Sequence, residues 1–457
     1  MMHLKYSLSF FMDKAQKIAA YDPSDLGLDN GNLFGLPFTT EESEVIVLPM
    51  PWEVTVSYRD GTAAGPETMF ECSQQVDLYD PDIVDAWKMG ISMEPIPAEW
   101  QKKNDELRKK AEHCIDHLVQ GGHPTDALVA PLYAEINAAG EALNKYIYER
   151  SSFFLDQGKA VCVAGGEHSV SQGLIQALSE RHEKFSILHI DAHADLRQAY
   201  EGFEYSHASI MYNAQKLSQV DQMVLVGIRD FSEQEANRMK DSGGRLLPFE
   251  DRTLKRRSYR GETWEQICRD IVKPLSDKVY ISFDIDALDP SLCPHTGTPV
   301  PGGLEFEQVF FMIEMLLEQN KTIIGFDLCE VAPGVSDDWD SIVGVRALYR
   351  LANLMAVSQG RKGGCFLIPF VFSCGNTHSG RDGKFVLLSP EPLKVLFIGL
   401  LALFNSGRWE IVRKSVSCKK TSGLSPFLFT GPFCHRLGAV SFLLFTIFIF
   451  VHLGFLQ

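Results

Sequence analysis

Six short apolar runs constrain the fold of this chain more than any other feature of its sequence. Each run has four or five residues, is rich in β-branched side chains, and is apolar at consecutive rather than alternate positions. Such runs are typical of strands that helices cover on both faces, as in a parallel sheet. The runs are Val45–Leu48, Val161–Ala164, Ile187–Ile190, Val224–Ile228, Val279–Phe283 and Ile323–Phe326.

Amphipathic stretches between these runs have the apolar spacing of helices. They include residues 132–158, 169–184, 304–320 and 345–356. Strands that alternate with helices predict one α/β domain over residues 44–356, with a central, mainly parallel sheet flanked by helices. Residues 1–43 are less regular and are predicted to form an N-terminal arm.

The C-terminal segment, residues 357–457, departs from this pattern. It carries eleven Lys and Arg against three Asp and Glu, in a chain that has 43 against 59 overall. Its run Leu437–Leu456 lacks Asp, Glu, Lys and Arg and is about as long as a helix that crosses a bilayer. Basic residues precede that run, as in a cytosolic-side anchor. The tail is therefore interpreted either as a membrane anchor or as an artefact of the gene model.

Charge and cysteine usage narrow the function classes. The net charge of −16 argues against a nucleic-acid partner and is compatible with a cationic substrate. The ten cysteines show no paired spacing, which predicts reduced, buried thiols and a cytoplasmic protein. The first residues resemble neither a secretory signal nor a transit peptide.

Acids and imidazoles follow three of the apolar runs at the point where each strand should end. Alternate residues of an extended strand share a face, and ligands bind beyond the carboxyl ends of parallel strands. Six potential metal ligands are therefore predicted to converge at one edge of the sheet. They are His168, Asp191, His193, Asp195, Asp284 and Asp286.

Four crowded carboxylates repel one another unless cations compensate them, and four negative charges balance two divalent ions. Oxygen and imidazole ligands together suit Mn2+, with Ni2+, Fe2+ or Zn2+ as alternatives. Two ions about 3.5–4 Å apart lower the pKa of a shared water and make hydroxide available near neutral pH. In the structural alternative, each Asp caps a turn or a helix and each His is simply hydrogen-bonded in the core.

Five segments, in this order, resemble the motifs of the ureohydrolase family, which includes arginases and agmatinases. They are "GGEHS", "DAHADLR", "SHASI", "SFDIDALDPSLCPHTGTPVPGGL" and "GFDLCEVAPG", and the similarity covers about residues 44–356. The resemblance implies a three-layer arginase-like fold, a two-manganese site and a homo-oligomer, a trimer or a hexamer. By motif position, one ion would be bound by His168, Asp191, Asp195 and Asp284. The other would be bound by Asp191, His193, Asp284 and Asp286.

The resemblance also implies roles that residue type alone would not suggest. His207 would carry the proton to the leaving amine, and Glu330 would bind the guanidinium group; both are counted with Asp195 as catalytic. Thr298 would line the substrate pocket. Without the resemblance, His207 would be read as a surface loop histidine and Glu330 as a loop acid or a cap.

Arg197 stands where arginases have an Asn, which argues against arginine as the substrate. If Arg197 faces the pocket, its charge favours a guanidino acid such as 4-guanidinobutyrate. The stretch "DAHADLRQAYEGFEYSHASIMYN" resembles most the agmatinase-like group, which includes guanidine hydrolases, some of them nickel-dependent. That resemblance implies that Arg197 could instead form a salt bridge that narrows the pocket to free guanidine. The predicted function is an agmatinase-like hydrolase of polyamine metabolism, which converts agmatine to putrescine and urea.

Guanidine hydrolysis and guanidinobutyrase activity are the alternatives within that reaction class. A non-catalytic, membrane-tethered binding or scaffold protein is the alternative of another class. A deacetylase-like amidohydrolase with one ion per chain is a third possibility, which the complete second ligand set disfavours.

Overall fold

The computed structural model of the protein describes residues 12–361 and the backbone of residues 365–366. The strands, in chain order, are β1 (Val45–Met50), β2 (Ile83–Val84), β3 (Ile91–Met93), β4 (Ala160–Gly165), β5 (Phe185–Ile190), β6 (Val220–Val226), β7 (Leu246–Phe249), β8 (Lys278–Asp284), β9 (Thr322–Cys329) and β10 (Cys365–Phe366). Eight of them form one sheet in the order β3-β1-β4-β9-β8-β5-β6-β7, and all neighbours are parallel. The strands β2 and β10 form a separate antiparallel pair.

Eleven α-helices lie within the described residues. They are α1 (Lys14–Ala20), α2 (Gly65–Cys72), α3 (Ala98–Val119), α4 (Ala130–Asp156), α5 (Gln172–Ser179), α6 (Ile210–Ala214), α7 (Glu233–Asp241), α8 (Asp251–Tyr259), α9 (Trp264–Val272), α10 (Phe306–Glu318) and α11 (Trp339–Ser358). None of the helices within residues 12–361 is both long and apolar enough to span a bilayer.

The sheet is packed on both faces, because alternate residues of its strands enter two different cores. Val45 and Val47 of β1 pack in a core that includes residues of α9, α10 and α11. Ile46 and Leu48, which point to the other face, pack in a core that includes residues of α3, α4 and α5. The predicted α/β architecture, with helices on both sides of a parallel sheet, is confirmed.

All six predicted strands are present, as β1, β4, β5, β6, β8 and β9. The four predicted helical stretches contain all of α5 and α10 and most of α4 and α11. In the predicted N-terminal arm, Leu33, Phe34, Leu36 and Phe38 are buried in the first of the two cores. Beyond Arg361 the predicted tail lies outside the described residues, apart from the backbone of β10. The limits of both segments stay predictions.

The six cysteines within residues 12–361 are all free and buried. Free, buried cysteines agree with the predicted reduced state of the thiols. Cys162, Cys293 and Cys329, which lie in or beside predicted strands, are fully buried.

Candidate metal centre and active site

Four neighbouring strands, β4, β9, β8 and β5, end at the same edge of the sheet. His168 begins a short turn after β4, Asp191 follows β5 directly, Asp284 is the last residue of β8, and Glu330 follows β9 directly. Because the strands are parallel and adjacent, side chains that are far apart in the chain meet at this edge.

The turn between β4 and His168 explains the paired glycines of "GGEHS". A Cβ on Gly166 would lie 2.1 Å from the carbonyl oxygen of Trp52, and one on Gly165 would lie 2.5 Å from Sγ of Cys329. The chain can therefore pass between β1 and β9 only without side chains at these two positions.

Three carboxylates surround one nitrogen of the buried His168 ring. Its Nδ1 lies 3.1 Å from Oδ2 of Asp191, 3.1 Å from Oδ2 of Asp195 and 3.4 Å from Oδ2 of Asp284. The predicted ligands of one ion, which come from three strands, are thus brought together.

A second group shares Asp191 with the first. Nδ1 of His193 lies 3.0 Å from Oδ2 of Asp286 and 3.5 Å from Oδ1 of Asp191. The other oxygen of Asp286 accepts a hydrogen bond from the backbone N–H of Ala192 at 3.0 Å. All six predicted ligands therefore lie in one continuous cluster.

The spacing and chemistry of the cluster fit divalent ions. Ligand atoms about 2.1 Å from a common ion lie roughly 3.0–3.4 Å apart, which matches most of the separations above. Within residues 12–361, no Lys or Arg forms an ion pair with any of the four carboxylates; only imidazoles do. Carboxylate oxygens and imidazole nitrogens are the ligands that Mn2+ and similar ions prefer.

The electrostatics of the metal-free cluster also indicate that it can bind divalent ions. Burial raises the pKa of Asp284 well above its usual range, and repulsion from Asp286 and Asp191 adds to the effect. Burial also raises the pKa of Asp195 to about 7, again with repulsion from Asp191. Near pH 7, Asp284 would thus hold a proton and Asp195 would be partly protonated in the metal-free cluster, and divalent ions would displace those protons.

Two site residues adopt a backbone conformation that non-glycine residues rarely take. The φ angle is 52° at Asp195 and 63° at Glu330, both in the left-handed region. Such strain costs on the order of 1 kcal/mol per residue and clusters at functional sites.

A hydrogen-bonded shell behind the cluster orients His168. Its Nε2 lies 2.8 Å from Oγ of Ser282 and 3.3 Å from Oδ1 of Asp327. The hydroxyls of Ser282 and Tyr280 donate to Oδ2 of Asp327 at 2.9 and 2.6 Å. This network points Nδ1 of His168 toward the carboxylates. Ser282 and Asp327 were not predicted, although polar residues inside buried strands are a usable signal.

His189, also missed, lies in β5 two residues before Asp191. Its ring stacks on His168 with the centroids 5.4 Å apart, and its Nε2 lies 3.3 Å from Oδ2 of Asp191. Burial lowers the pKa of His189 to about 4, so the ring is neutral near pH 7.

A cavity of about 150 Å³ opens beside His193 and Asp195. Three further residues expected at the active site, Arg197, His207 and Thr298, line it, together with Ser57, Tyr200, Ala208, Asp230 and Glu235. Glu330 does not line the cavity. It is 4% exposed, and its Oε1 accepts a hydrogen bond from the backbone N–H of His168 at 2.9 Å.

Arg197 faces this cavity but is paired. Its Nε lies 3.5 Å from Oε2 of Glu235, a carboxylate that is only 3% exposed. Its guanidinium carbon lies 4.6 Å from the centroid of the Tyr200 ring. Arg197 therefore forms an ion pair with a carboxylate that sequence reasoning did not identify.

His207 lines the cavity and also contacts Thr55. The backbone N–H of His207 donates to Oγ1 of Thr55 at 3.1 Å, and its Nδ1 lies 3.3 Å from the same oxygen. Burial lowers the pKa of His207 to about 3, and repulsion from His193 contributes. The ring is therefore neutral near pH 7.

Comparisons with known proteins agree with this geometry. The model of the arginase family matches residues 43–352. The N(1)-aminopropylagmatine ureohydrolase of Thermus thermophilus is 32% identical over 295 residues, which cover 64% of this chain and 84% of that protein. The agmatinase of Bacillus anthracis is 29% identical over 302 residues, which cover 64% of this chain and 85% of that protein.

Solved structures show the same fold at lower sequence identity. The agmatine ureohydrolase of Thermoplasma volcanium superposes with a TM-score of 0.52 at 20% identity, covering 71% of this chain and 94% of that one. The predicted arginase-like arrangement of the sheet and its helices is confirmed by this likeness. On the extent of the family match and on the identity of its relatives, the chain belongs to the arginase family.

Proposed function

We propose that this protein is a metal-dependent ureohydrolase, which cleaves a C–N bond of a guanidino compound and releases urea and an amine. One observation carries the proposal: six His and Asp side chains from three strands meet in a single buried cluster that shares Asp191. Membership of the arginase family supports the same reaction class.

The ligand sets follow the two groups of the cluster. We assign His168, Asp191, Asp195 and Asp284 to one ion, and Asp191, His193, Asp284 and Asp286 to the other. Two divalent ions bound there would make hydroxide available near neutral pH. The mixed oxygen and nitrogen ligands favour Mn2+, with Ni2+ as the alternative.

The residues around the cavity supply the remaining functions. His207 is neutral and reaches the cavity wall, so it can carry a proton to the amine as the C–N bond breaks. Thr298 lies on the same wall, and its hydroxyl donates to Oδ2 of Asp286 at 3.4 Å. Glu330 is a buried carboxyl group next to His168, and burial together with repulsion from Glu167 raises its pKa well above the usual range. A guanidinium ion bound beside it would favour the ionised form, which could then orient that ion.

Agmatine is the first substrate that we propose, because the relatives named above are an agmatinase and an aminopropylagmatine ureohydrolase. Its distal ammonium group suits a cavity wall that carries Asp230. A guanidino acid is less favoured, because Arg197 already forms an ion pair with Glu235.

Free guanidine is the second candidate, and the position of Arg197 favours it. The Arg197 side chain lies across the Tyr200 ring and is held there by Glu235, so it occupies space that a longer substrate would need. Guanidine contains only the group that is cleaved and needs no such space.

A substrate panel tests the proposal. Release of urea and ammonia is measured with agmatine, guanidine, 4-guanidinobutyrate, arginine and formimidoylglutamate, first with Mn2+ and then with Ni2+. We expect metal-dependent urea release from agmatine or guanidine, and its loss in Asp191→Asn and Asp284→Asn. The exposed Asp277→Asn is the matched control. Full activity and unchanged metal content in either cluster variant would show that the assignment is wrong.

Metal stoichiometry separates the alternatives. Two ions per chain support a ureohydrolase, whereas one ion per chain supports deacetylase-like chemistry, and a loaded protein that is inactive on the whole panel supports the binding or scaffold alternative. We further propose a cytoplasmic homo-oligomer, a trimer or a hexamer, which light scattering and fractionation of the full chain test.

A further inference from the structure

The hydroxyl of Thr55 joins a buried carboxylate to His207. Oγ1 of Thr55 lies 2.9 Å from Oε1 of Glu167, 3.1 Å from the backbone nitrogen of His207 and 3.3 Å from Nδ1 of the His207 ring. Thr55 and Glu167 are both buried. Neither residue had a role in the sequence-based prediction.

Glu167 is surrounded by donors. Its Oε2 accepts the backbone N–H of Thr55 at 2.7 Å, and its Oε1 accepts the hydroxyl of Ser169 at 2.6 Å as well as that of Thr55. These three donors fit an ionised carboxylate, which only accepts hydrogen bonds. Burial raises the pKa of Glu167 to about 7, so the ionised form is the one present at alkaline pH. The Thr55 hydroxyl then gives its single hydrogen to Glu167.

The hydrogen-bonding capacity of the Thr55 hydroxyl determines whether Nδ1 of His207 carries a hydrogen. A hydroxyl has one hydrogen and two lone pairs. With its hydrogen on Glu167, Thr55 can only accept from its two other partners. One lone pair takes the backbone N–H of His207, which can do nothing but donate, and the other takes the ring nitrogen Nδ1. Nδ1 must therefore carry a hydrogen.

We propose that Thr55 and Glu167 are positioning residues that hold His207 in the tautomer with hydrogen on Nδ1 and a free lone pair on Nε2. Within the described residues, Nε2 of His207 has no hydrogen-bond partner, and the ring lines the cavity. This tautomer lets Nε2 accept a proton from the attacking water and return it to the leaving nitrogen, which takes the electron pair of the broken C–N bond. The other tautomer could only donate at that position.

Ser206 is the competing neighbour. Its Oγ lies 3.4 Å from Nδ1 of His207 and accepts the backbone N–H of Ala208 at 3.3 Å. If the Ser206 hydroxyl donated to Nδ1, the hydrogen of the ring would sit on Nε2 instead. The shorter contact to Thr55, backed by a carboxylate, favours the Nδ1–H form. Ser206→Ala is therefore the matched control.

Glu167→Gln gives the sharpest test, because it should move the hydrogen without changing the shape of the site. The amide oxygen must take the Oε2 position, since only an acceptor can pair with the backbone N–H of Thr55. The NH2 group then takes the Oε1 position and donates to the Thr55 hydroxyl. With both lone pairs filled, that hydroxyl must donate to Nδ1 of His207, and the ring hydrogen moves to Nε2.

Neutron diffraction from crystals of the deuterated, metal-loaded protein, grown at alkaline pH, reads the tautomer directly. We expect deuterium on Nδ1 of His207 in the wild type and in Ser206→Ala, and on Nε2 in Glu167→Gln. Deuterium on Nε2 in the wild type overturns the proposal, and so does a Glu167→Gln protein that keeps it on Nδ1.

Steady-state kinetics test the catalytic role of the two residues. This part of the proposal rests on the function proposed above. For Glu167→Gln and Thr55→Val we expect kcat to fall on the order of 10²-fold while KM stays within about twofold, and Thr55→Ser to retain activity. An unchanged kcat in Thr55→Val overturns this role. If the wild type hydrolyses no guanidino compound, the proposed function fails, but the deuterium positions still decide the tautomer.

Discussion

Nε of Arg197 lies 3.5 Å from Oε2 of Glu235, and both side chains line the substrate cavity. On the function proposed above, the pair would limit the space for a substrate longer than guanidine. Because Arg197 and Glu235 both belong to the cavity wall, a single substitution can change the size of the cavity.

Arg197→Ala is expected to shift specificity toward longer substrates. The change opens the cavity and leaves the carboxylate of Glu235 free to attract a distal ammonium group. We expect the ratio of kcat/KM for agmatine to that for guanidine to rise roughly tenfold. Steady-state urea assays measure the ratio, and the exposed Arg252→Ala is the control. An unchanged ratio in Arg197→Ala would mean that the pair does not limit the cavity.

Glu330→Gln is expected to weaken guanidinium recognition without disturbing the metals. The amide oxygen can still accept the backbone N–H of His168, so the local fold should survive, but the side chain can no longer ionise to pair with a guanidinium ion. We expect kcat/KM to fall on the order of 10²-fold, as when one partner of a buried charge pair is removed. Urea assays and metal analysis of the same sample check this, with the exposed Glu183→Gln as control. A large loss of bound metal would instead make Glu330 part of the metal shell.

Asp327→Asn is expected to lower metal affinity, although Asp327 is not an assigned ligand. Asp327 accepts hydrogen bonds from Ser282 and Tyr280 and lies 3.3 Å from Nε2 of His168, so it orients the ring that we propose as a metal ligand. Loss of such a partner weakens binding by about 10–100-fold. Competition with a chromogenic chelator measures the change, and Tyr280→Phe, which keeps the carboxylate, should have a smaller effect. Equal affinities in Asp327→Asn and wild type would contradict the orienting role.

Acid sensitivity should depend in part on His182, which is remote from the metal site. Half-burial lowers the pKa of His182 from 6.5 to about 4, and its neighbours Lys278 and Arg181 contribute. Nδ1 of the ring lies 2.9 Å from Nζ of Lys278. Between these two pKa values the unfolded chain binds more protons than the folded protein, so the free energy of unfolding falls as the pH falls.

Urea denaturation at pH 7 and at pH 5 measures this contribution of His182. His182→Gln should lose less stability than the wild type between the two pH values, whereas the exposed His113→Gln should lose as much as the wild type. An equal loss in wild type and His182→Gln would mean that His182 does not titrate as described.

The central strands and the metal cluster were predictable because each produces a strong local pattern. Six strands of six to eight residues contain consecutive apolar runs, and the ligands lie at or just beyond the ends of three of them. The strands β3 and β7 were missed for physical reasons: β3 has only three residues, and β7 contains Pro248 at the edge of the sheet.

The contacts that orient side chains around the site were not predictable, because they join residues that no sequence motif links. Thr55 lies outside every helix and strand and meets Glu167, 112 residues later, only when the chain has folded. In the sequence, Glu235 has the spacing from Ser232 that is typical of a helix capping box. That role does not predict its ion pair with Arg197. The direction in which Arg197 points was accordingly left open by the sequence and is answered by the fold.

The residues of the metal cluster come from the ends of β4, β5 and β8, so metal binding depends on the correct pairing of these strands. A chain in which any of these strands is unpaired holds the six side chains too far apart to chelate an ion together. When ions are in excess, the number bound per chain therefore gives a lower limit for the fraction of molecules whose sheet is complete, because a folded chain can also lack its ions. Elemental analysis of a preparation would measure that limit independently of any activity assay.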